Sequence, residues 1–486
     1  MTNKIIEFCF ENGILLDKKA LDFLIELKDE DKAINIIKKL NKKIINNSDL
    51  ENSNLNRFLQ EDMEEVDKKK DEKIINNKLN TIKNNKREVG VDNFINYFRN
   101  RFLQMSLEIQ NKFNLDDLVS IGKIGEIKRS VGLVGMVYDK KIVKNGNMIF
   151  DIEDLTGKVK VFVNKENKML FSKALDICLD GVFYFQGYGN REIVFVTDIL
   201  FLDIENKIDF SGSGKVAFIG DLHFGGKGFM RENFMEFIKY LNNQKEIRYL
   251  FIVGDLISGI GNYPFQKQDL EIKDIYKQYE EIKKILKNIR EDVNIIILPG
   301  NHEPVRLGEP QPIIDKDFLS IFSDMNNIKF VSNPYSIDIG GVNVFGYHGF
   351  SFSYYANSVA KIASKDKLNN PVKVVEYLLK VGHLAPSYGA SQNLVLEKDK
   401  LVISKIPQIF VCGHSHKSGI GWHNGILIIS VSSWEKYTQY QEKLGAIPDY
   451  CKVPVVDLHN GEVCVVDFED IDNIKEFKIE ENKDEY

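Results

Sequence analysis

Cysteine is scarce in this chain of 486 residues, and no two cysteines form a CxxC pair. The five cysteines are scattered through the sequence as Cys9, Cys178, Cys412, Cys451 and Cys464. This pattern excludes a zinc ribbon, a redox dithiol and a disulfide framework, and it is typical of proteins in a reducing cytoplasm. Cys412 stands in an apolar run, so we expect it to pack inside a strand.

Long apolar segments are also missing. No run of eighteen apolar residues occurs, so no membrane-spanning helix is predicted. The N-terminus, MTNKIIEFCFENG, lacks the basic region and long apolar core of a signal peptide. The net charge of −6 provides no global basic field, so a polyanionic partner would have to meet a local basic surface. We therefore expect a cytoplasmic protein without a membrane partner.

The length favours two or three domains, and the composition and the spacing of apolar residues change along the chain. Residues 1–46 have apolar residues at helical spacing, as in ALDFLIELK, which predicts a small helical module. Residues 47–90 are rich in Asn, Lys, Glu and Asp, which predicts a polar flexible linker. A connecting segment, 91–125, should contain a helix over about 92–113.

Between residues 126 and 205 the apolar period changes to two, as expected for strands. Five short strands are predicted, divided at turn-forming segments such as Lys-Asn-Gly and Asp-Leu-Thr-Gly. Five strands in this length indicate a small barrel of the oligonucleotide-binding (OB) type. Such a barrel can bind single strands or dock a protein, and the sequence does not choose between these uses.

In residues 206–470, apolar segments typical of strands alternate with segments of helical periodicity, as is typical of an α/β domain. Ligands of such domains gather at the loops beyond the strand ends. Two later hairpins should turn at Gly-Gly and at Asn-Gly, and residues 471–486 look like a polar tail. The predicted fold class is therefore multidomain α+β, with a helical module, an OB barrel and an α/β domain.

Five apolar segments of this α/β domain end in potential metal ligands. The segments are GDLHFGG with Asp221 and His223, GDLISG with Asp255, PGNHE with Asn301 and His302, GYHG with His348, and GHSH with His414 and His416. Each motif alone is more often a turn than a metal site. Five of them in succession, each after an apolar strand, favour a shared metal centre. Flanking glycines permit the sharp turns that let alternate residues reach one ion.

The donor set combines carboxylate, carboxamide and imidazole without thiolate. Such a set suits Mn²⁺, Fe²⁺ or Zn²⁺ better than Ca²⁺ or a structural Zn²⁺. Seven ligands exceed the needs of one ion, whereas two ions about 3.5–4 Å apart, sharing a bridging carboxylate, would use all of them. The residues therefore predict two divalent ions, with manganese preferred.

The order of the motifs resembles that of the calcineurin-like metallophosphoesterases, which run D-x-H, G-D, G-N-H-[DE], H and G-H-x-H. The resemblance covers about 215–435 and implies individual roles. It implies that one metal is held by Asp221, His223 and His416, and the other by Asn301, His348 and His414. It further implies that Asp255 bridges the two ions, and that His302 lies beside the reacting phosphate as the catalytic group.

A narrower resemblance covers nearly the whole chain. The order of helical N-terminus, charged linker, OB barrel and phosphoesterase is similar to that of the small subunits of archaeal family-D DNA polymerases, as are DIEDLTGKVKVFV, GHLAPSYGA and VPVVDLHNGEV. This resemblance implies a 3′–5′ proofreading exonuclease that acts on single-stranded or mismatched DNA 3′ ends. It also implies docking to a large polymerising subunit.

Two other functions remain open at this point. One is that of a catalytically silent scaffold, although every ligand position is filled. The other is that of a phosphoprotein phosphatase, a class that shares GNHE but carries an arginine after its second aspartate, where this chain reads GDLISG. Among the remaining histidines, His383 could reach substrate or be a satisfied buried residue, and we favour the buried role. His423 and His459 are expected at the surface or in turns.

Overall fold

The computed structural model describes residues 89–115, 117–364, 369–436 and 447–480, together with single residues before position 46. The chain divides into two compact units, Met1–Ile82 and Lys83–Tyr486. Among the described residues, no helix combines the length and the apolar character needed to cross a bilayer.

In the first unit, two short strands pair in parallel, β1 (Leu15–Leu16) and β2 (Ile44–Ile45). The expectation of helices alone therefore missed a strand pair. Two adjacent apolar residues are too few to show a period of two, which explains the omission. The predicted linker lies outside the described residues except at positions 89 and 90.

The connecting helix, α1 (Val91–Lys112), matches the predicted bounds to within one residue. Its buried positions include Tyr97, Arg101, Met105 and Ile109, which repeat at intervals of four and form one face. Met105 and Ile109 belong to the same apolar core as the barrel that follows. This helix is therefore part of the second unit's interior.

Five strands after α1 form a closed barrel, as predicted. They are β3 (Arg129–Ile142), β4 (Met148–Glu153), β5 (Lys158–Val163), β6 (Val182–Gly189) and β7 (Ile193–Leu200). The strand order around the barrel is β3-β4-β5-β7-β6. A helix that was not predicted, α2 (Lys168–Leu175), joins β5 to β6, and its eight residues are too few for a clear helical period.

The remaining strands and helices form the α/β part of the chain. The strands are β8 (Lys215–Ile219), β9 (Ile247–Val253), β10 (Asn294–Leu298), β11 (Ile328–Phe330), β12 (Tyr335–Ile339), β13 (Val342–Tyr347), β14 (Ile409–Cys412), β15 (Gly419–His423), β16 (Ile426–Ser430), β17 (Lys452–Asp457), β18 (Val463–Asp467) and β19 (Lys475–Ile479). The helices are α3 (Arg231–Asn243), α4 (Ile275–Leu286), α5 (Lys316–Ile321), α6 (Phe352–Ser358), α7 (Ala360–Ala363) and α8 (Pro371–Val381).

Two sheets face each other in this part. One has the order β11-β10-β9-β8-β17-β18-β19, and the other has the order β12-β13-β14-β16-β15. A cluster of buried side chains from both sheets, including Phe218, Phe251, Val344 and Val411, fills the space between them. Strands β8, β9 and β10 are mutually parallel, as are β13, β14 and β16, so their carboxyl ends share an edge in each sheet.

The predicted polar tail, 471–486, is wrong over its first half. Residues 475–479 form β19, which pairs antiparallel with β18. Phe477 and Ile479 alternate with lysines and glutamate, a period of two that the acidic composition hides. Charged side chains on an edge strand are a common means of preventing pairing with other chains.

Candidate metal centre

All seven predicted ligands and His302 follow the carboxyl ends of parallel strands. Asp221 and His223 follow β8, Asp255 follows β9, Asn301 and His302 follow β10, His348 follows β13, and His414 and His416 follow β14. Because both sheets place these strand ends at the same side of the sandwich, residues almost 200 positions apart meet. Cys412, the last residue of β14, is fully buried, as predicted.

One cluster is formed by Asp221, His223 and His416. The Nε2 atoms of the two histidines are 3.0 Å apart, and Nε2 of His416 is 3.7 Å from Oδ1 of Asp221. All three side chains are buried, and their donor atoms lie within 4.8 Å of one another, a spacing that could hold one metal ion.

A second cluster is formed by Asp255, His348 and His414, whose donor atoms also lie within 4.8 Å of one another. Nε2 of His348 is 3.3 Å from Oδ2 of Asp255 and 3.2 Å from Oδ1 of Asn301. The amide oxygen of Asn301 therefore extends this second set to four potential ligands.

Asp255 lies between the two clusters. Its Oδ2 is 3.3 Å from Nε2 of His348 in the second cluster and 3.8 Å from Nε2 of His223 in the first. Its Oδ1 accepts a hydrogen bond from the backbone N–H of His302. A single carboxylate thus faces imidazoles of both sets, the arrangement that a bridging ligand requires.

Backbone groups orient several of these side chains. Nδ1 of His348 lies 2.9 Å from the carbonyl oxygen of Val253, so it donates there, and Nε2 is the nitrogen that faces the centre. The carboxylate of Asp221 accepts the backbone N–H of His414 at 2.9 Å. Such contacts fix the ring tautomer and the carboxylate orientation before a metal ion binds.

Glu303 has a role that its place in the GNHE motif did not reveal. Its carboxylate is buried and accepts backbone N–H groups of Gly300 at 2.7 Å, Leu256 at 2.7 Å and Asp255 at 3.1 Å. Burial, and then the neighbouring Asp255 carboxylate, raises the pKa of Glu303 to about 7. Glu303 thereby joins the loops after β9 and β10, which carry ligands of the second cluster.

The ligand loops have an uncommon backbone conformation. The residues with positive φ are Asp221 (49°), His223 (49°), Asp255 (51°), His414 (67°) and His416 (55°). This region is rarely adopted by residues other than glycine, and such strain concentrates at functional sites. At Gly300 a side chain has no room, because a Cβ atom would lie 2.3 Å from Oδ1 of Asp255.

The electrostatics of the centre fit divalent cations. Asp221 and Asp255 are buried, and within the described ranges neither forms an ion pair with a lysine or arginine. Burial lowers the pKa of His414 to about 3 and that of His416 to about 4, so both imidazoles are neutral, the form that binds metal. Carboxylates without a lysine or arginine partner, together with these two neutral imidazoles, match a metal such as Mn²⁺, Fe²⁺ or Zn²⁺. The Asp255 carboxylate outweighs the effect of burial and raises the pKa of His348 to about 10, so His348 has to lose a proton to become a ligand.

His302 lies beside both clusters. Its Nδ1 is 2.7 Å from the carbonyl oxygen of Ser258, and its ring centroid is 4.5 Å from that of His223, nearly perpendicular at 81°. Since Nδ1 donates to a fixed carbonyl, Nε2 is the nitrogen that remains for proton exchange. Ser258, which no sequence motif singled out, holds this ring through its backbone.

His383 lies in a buried polar network outside the metal centre. Its Nε2 is 3.0 Å from Oδ2 of Asp399, and its Nδ1 accepts the backbone N–H of Ala385 at 2.9 Å. The same carboxylate oxygen is 2.6 Å from Nε of Arg101 in α1. The preferred interpretation of His383 as a satisfied structural residue is therefore confirmed, with a carboxylate partner in addition to the expected backbone one.

The two other histidines also lie away from the centre. Nε2 of His423 is 2.9 Å from Oδ1 of Asp203, and His459 is exposed in a turn. His459 agrees with the expectation of a surface or turn residue, whereas His423 ends β15 and is half-buried, with 19% of its side chain exposed.

Two facing sheets, with five ligand motifs at their strand ends, define the larger part of this chain as a calcineurin-like metallophosphoesterase fold. Residues 216–420 match the family of DNA polymerase alpha/epsilon B-subunits. The DNA polymerase II small subunit of Methanothermobacter thermautotrophicus is 32% identical over 396 residues, which is 78% of this chain and 80% of that protein. This chain belongs to the family of DNA polymerase II small subunits.

The similarity to this family extends into the N-terminal unit. The DNA polymerase II small subunit of Thermoplasma acidophilum is 28% identical over 476 residues, 96% of this chain and 93% of that protein. Among solved structures, vacuolar protein sorting 29 from Cryptosporidium parvum is 17% identical and aligns with 56% of this chain and 100% of its own, with a TM-score of 0.31. That superposition is too loose to define a reaction.

Proposed function

We propose that this polymerase small subunit is a metal-dependent 3′–5′ exonuclease that hydrolyses phosphodiesters at single-stranded or mismatched DNA ends. The observation that carries the proposal is the position of Asp255 between two clusters of candidate ligands, which are buried except for the half-buried Asn301 and His414. A small subunit that had lost catalysis would have no need for both clusters, for the shared carboxylate, or for the positive φ angles in the loops after β8, β9 and β14.

In this proposal the seven ligands divide as the family resemblance implies. Asp221, His223 and His416 hold one divalent ion, and Asn301, His348 and His414 hold the other. Asp255 contributes to both. When bound, the two ions supply Lewis-acid activation of water and of the phosphate. Manganese is the expected metal, with Fe²⁺ and Zn²⁺ as alternatives.

The residues of the chain supply proton transfer and orientation. His302 is the proposed catalytic residue, and its Nε2 donates a proton to the 3′ oxygen that leaves the scissile phosphorus. The carbonyl of Ser258 fixes the ring by accepting from Nδ1 at 2.7 Å, while Oδ1 of Asp255 fixes the backbone of the same residue at 2.8 Å. Because these two contacts already hold the ring in place, less conformational entropy is lost when the transition state forms.

The proposal includes docking to a large polymerising subunit, which the small-subunit family membership supports. A phosphoprotein phosphatase is disfavoured because the residues after Asp255 are Leu256 and Ile257, both fully buried, where that class carries a phosphate-binding arginine.

The direct experiment uses the purified full chain with manganese and two labelled single strands. A strand labelled at its 3′ end should release labelled mononucleotide at once, and a strand labelled at its 5′ end should shorten progressively. Metal content is measured on the same preparation. Two bound ions without any release from either strand would leave docking as the function of this chain, and release from the 5′ end first would reverse the proposed polarity.

A further inference from the structure

The outer surface of the barrel carries a row of apolar side chains that the metal centre does not use. Ile149 of β4 is paired with Phe162 of β5, Phe162 with Phe195 of β7, and Phe195 with Tyr188 of β6. We call Phe162, Phe195 and Tyr188 the aromatic row. Its three rings occupy directly opposite positions on three adjacent strands.

The strand alternation turns the aromatic row outward. On β5 the neighbours of Phe162, Val161 and Val163, are fully buried in the barrel, and on β7 Val194 is also fully buried. Phe195 is 41% exposed and Tyr188 is 52% exposed. The rings of Phe162 and Phe195 are in edge contact, with centroids 5.4 Å apart at 63°. Isolated exposed aromatics are ordinary, but a contiguous row of them marks a contact surface.

One basic side chain borders the aromatic row, on the segment that leads into β3. Nζ of Lys128 is 5.6 Å from the ring centroid of Phe195, a cation–π distance. The next residue, Arg129, pairs with Gly189, so strand alternation directs its side chain to the face opposite to Tyr188, and its guanidinium donates to the carbonyl of Lys123 at 3.1 Å. Lys128 has no carboxylate within ion-pair distance in the described part of the chain, so its charge is available to an anionic ligand beside the row.

Two other cations near the row are already neutralised. Lys160 on β5 forms an ion pair with Asp151 at 2.9 Å, and Arg191 pairs with Glu126 at 3.1 Å. The surplus of positive charge therefore lies at the end of the row that Phe195 and Tyr188 form, and not along its whole length. This asymmetry favours a ligand whose phosphates run past one side of the rings.

We propose that the aromatic row binds single-stranded DNA, with bases stacked on Phe195 and Tyr188 and the phosphate backbone beside Lys128. Exposed aromatic rings together with unpaired cations are the combination that binds single strands without reading their sequence. An apolar protein partner would contact the rings alone and would leave Lys128 unpaired at its border. This site is separate from the metal centre and would hold a strand whether or not hydrolysis occurs.

The test measures binding of the full chain to a fluorescent oligothymidylate of about 16 nucleotides, the upper site size of one such barrel. Fluorescence anisotropy is recorded in EDTA, which removes metal ions and prevents hydrolysis of the oligonucleotide. The measured affinity therefore does not depend on whether the metal centre is active. Phe195→Ala and Tyr188→Ala should each weaken binding at least about fivefold, the effect of removing one stacking ring. Lys128→Ala should lower the salt dependence of the affinity, because one phosphate contact is lost.

Two further variants guard against loss of the barrel fold. Phe195→Leu keeps an apolar side chain but has no ring, so it should bind as weakly as Phe195→Ala, whereas Phe195→Trp should retain binding. Phe477→Ala is the matched control, since Phe477 is 48% exposed on β19 and should leave the affinity unchanged. Unchanged affinity in both Phe195→Ala and Tyr188→Ala would overturn the proposal. The proposal would also be overturned if Phe195→Ala and Tyr188→Ala no longer bound the large subunit but still bound the oligonucleotide with unchanged affinity. That result would assign the aromatic row to protein docking.

Discussion

Oδ1 of Asp255 accepts the backbone N–H of His302 at 2.8 Å, while Oδ2 of the same carboxylate faces the imidazoles of His223 and His348. One side chain thus links the proposed catalytic residue to both ligand clusters. The metal sites and the proton-transfer group are consequently aligned by a single carboxylate, and substitutions around it should separate their contributions.

Asp255→Asn should remove one or both ions and abolish nuclease activity. The change keeps the size of the side chain but removes the charge that the two proposed ions share. Metal affinity should fall by more than about 100-fold, the upper range for residues that only support a ligand. Elemental analysis of the purified variant and a single-strand nuclease assay measure the two effects. Full activity in manganese would contradict the bridging role.

His302→Ala should lower turnover by about 10²–10⁴-fold while both ions remain bound. The expected split arises because His302 donates a proton but is not among the proposed ligands. Turnover and metal content are measured on the same preparation, with His459→Ala as the exposed histidine control. Loss of metal together with turnover would show that His302 is a ligand and not the acid.

Glu303→Gln should weaken metal binding about 10–100-fold, as expected for a residue that supports ligands. Three backbone N–H groups converge on the carboxylate, and the amide of glutamine offers one oxygen fewer to accept them. An N–H left without an acceptor in the interior also costs about 1–3 kcal/mol of folding free energy. Manganese titration and thermal unfolding test both effects, with the exposed Glu462→Gln as control. A variant with unchanged metal affinity would mean that the loops hold their conformation without Glu303.

Arg101→Met should destabilise the second unit by about 3–5 kcal/mol, because it leaves Asp399 buried without its guanidinium partner. Arg101 is fully buried and also donates to the hydroxyl of Tyr97 at 3.0 Å and to the carbonyl of Pro386. Denaturant unfolding of this variant is compared with that of Arg99→Met, on the exposed side of the same helix. Equal stability of the two variants would show that the buried pair contributes nothing net.

The convergence of the candidate ligands could be predicted because their positions follow from local rules. Parallel strands put their carboxyl ends at one edge, and each ligand motif, such as the one with His414, directly follows an apolar strand. The assignment of individual ions within the clusters remains a prediction. The contacts that support the centre could not be predicted, because the carbonyl of Ser258 and the three amides around Glu303 have no side-chain signature.

The sequence also could not predict polar contacts between residues far apart in the chain, or helices and strands whose apolar periodicity is weak. Arg101 and Asp399 are 298 positions apart, and no local pattern relates a helical arginine to a loop aspartate. Acidic neighbours obscure the alternation of the edge strand β19, so the sequence predicts a tail there, and α2 is too short to show a helical period. The sequence predicts five strands in this segment, and the closed barrel is inferred from that number alone. Its identity as an OB barrel stays a prediction.

The apolar interior of the barrel continues without a break into the phosphoesterase part. Phe150 and Val161 of the barrel belong to one cluster of buried side chains with Tyr347, Phe352 and Phe410. Because neither half completes its interior alone, the two should melt as one cooperative unit and give a single calorimetric transition. A barrel excised at its sequence boundaries would expose this shared surface to water, so its properties have to be studied in the intact chain.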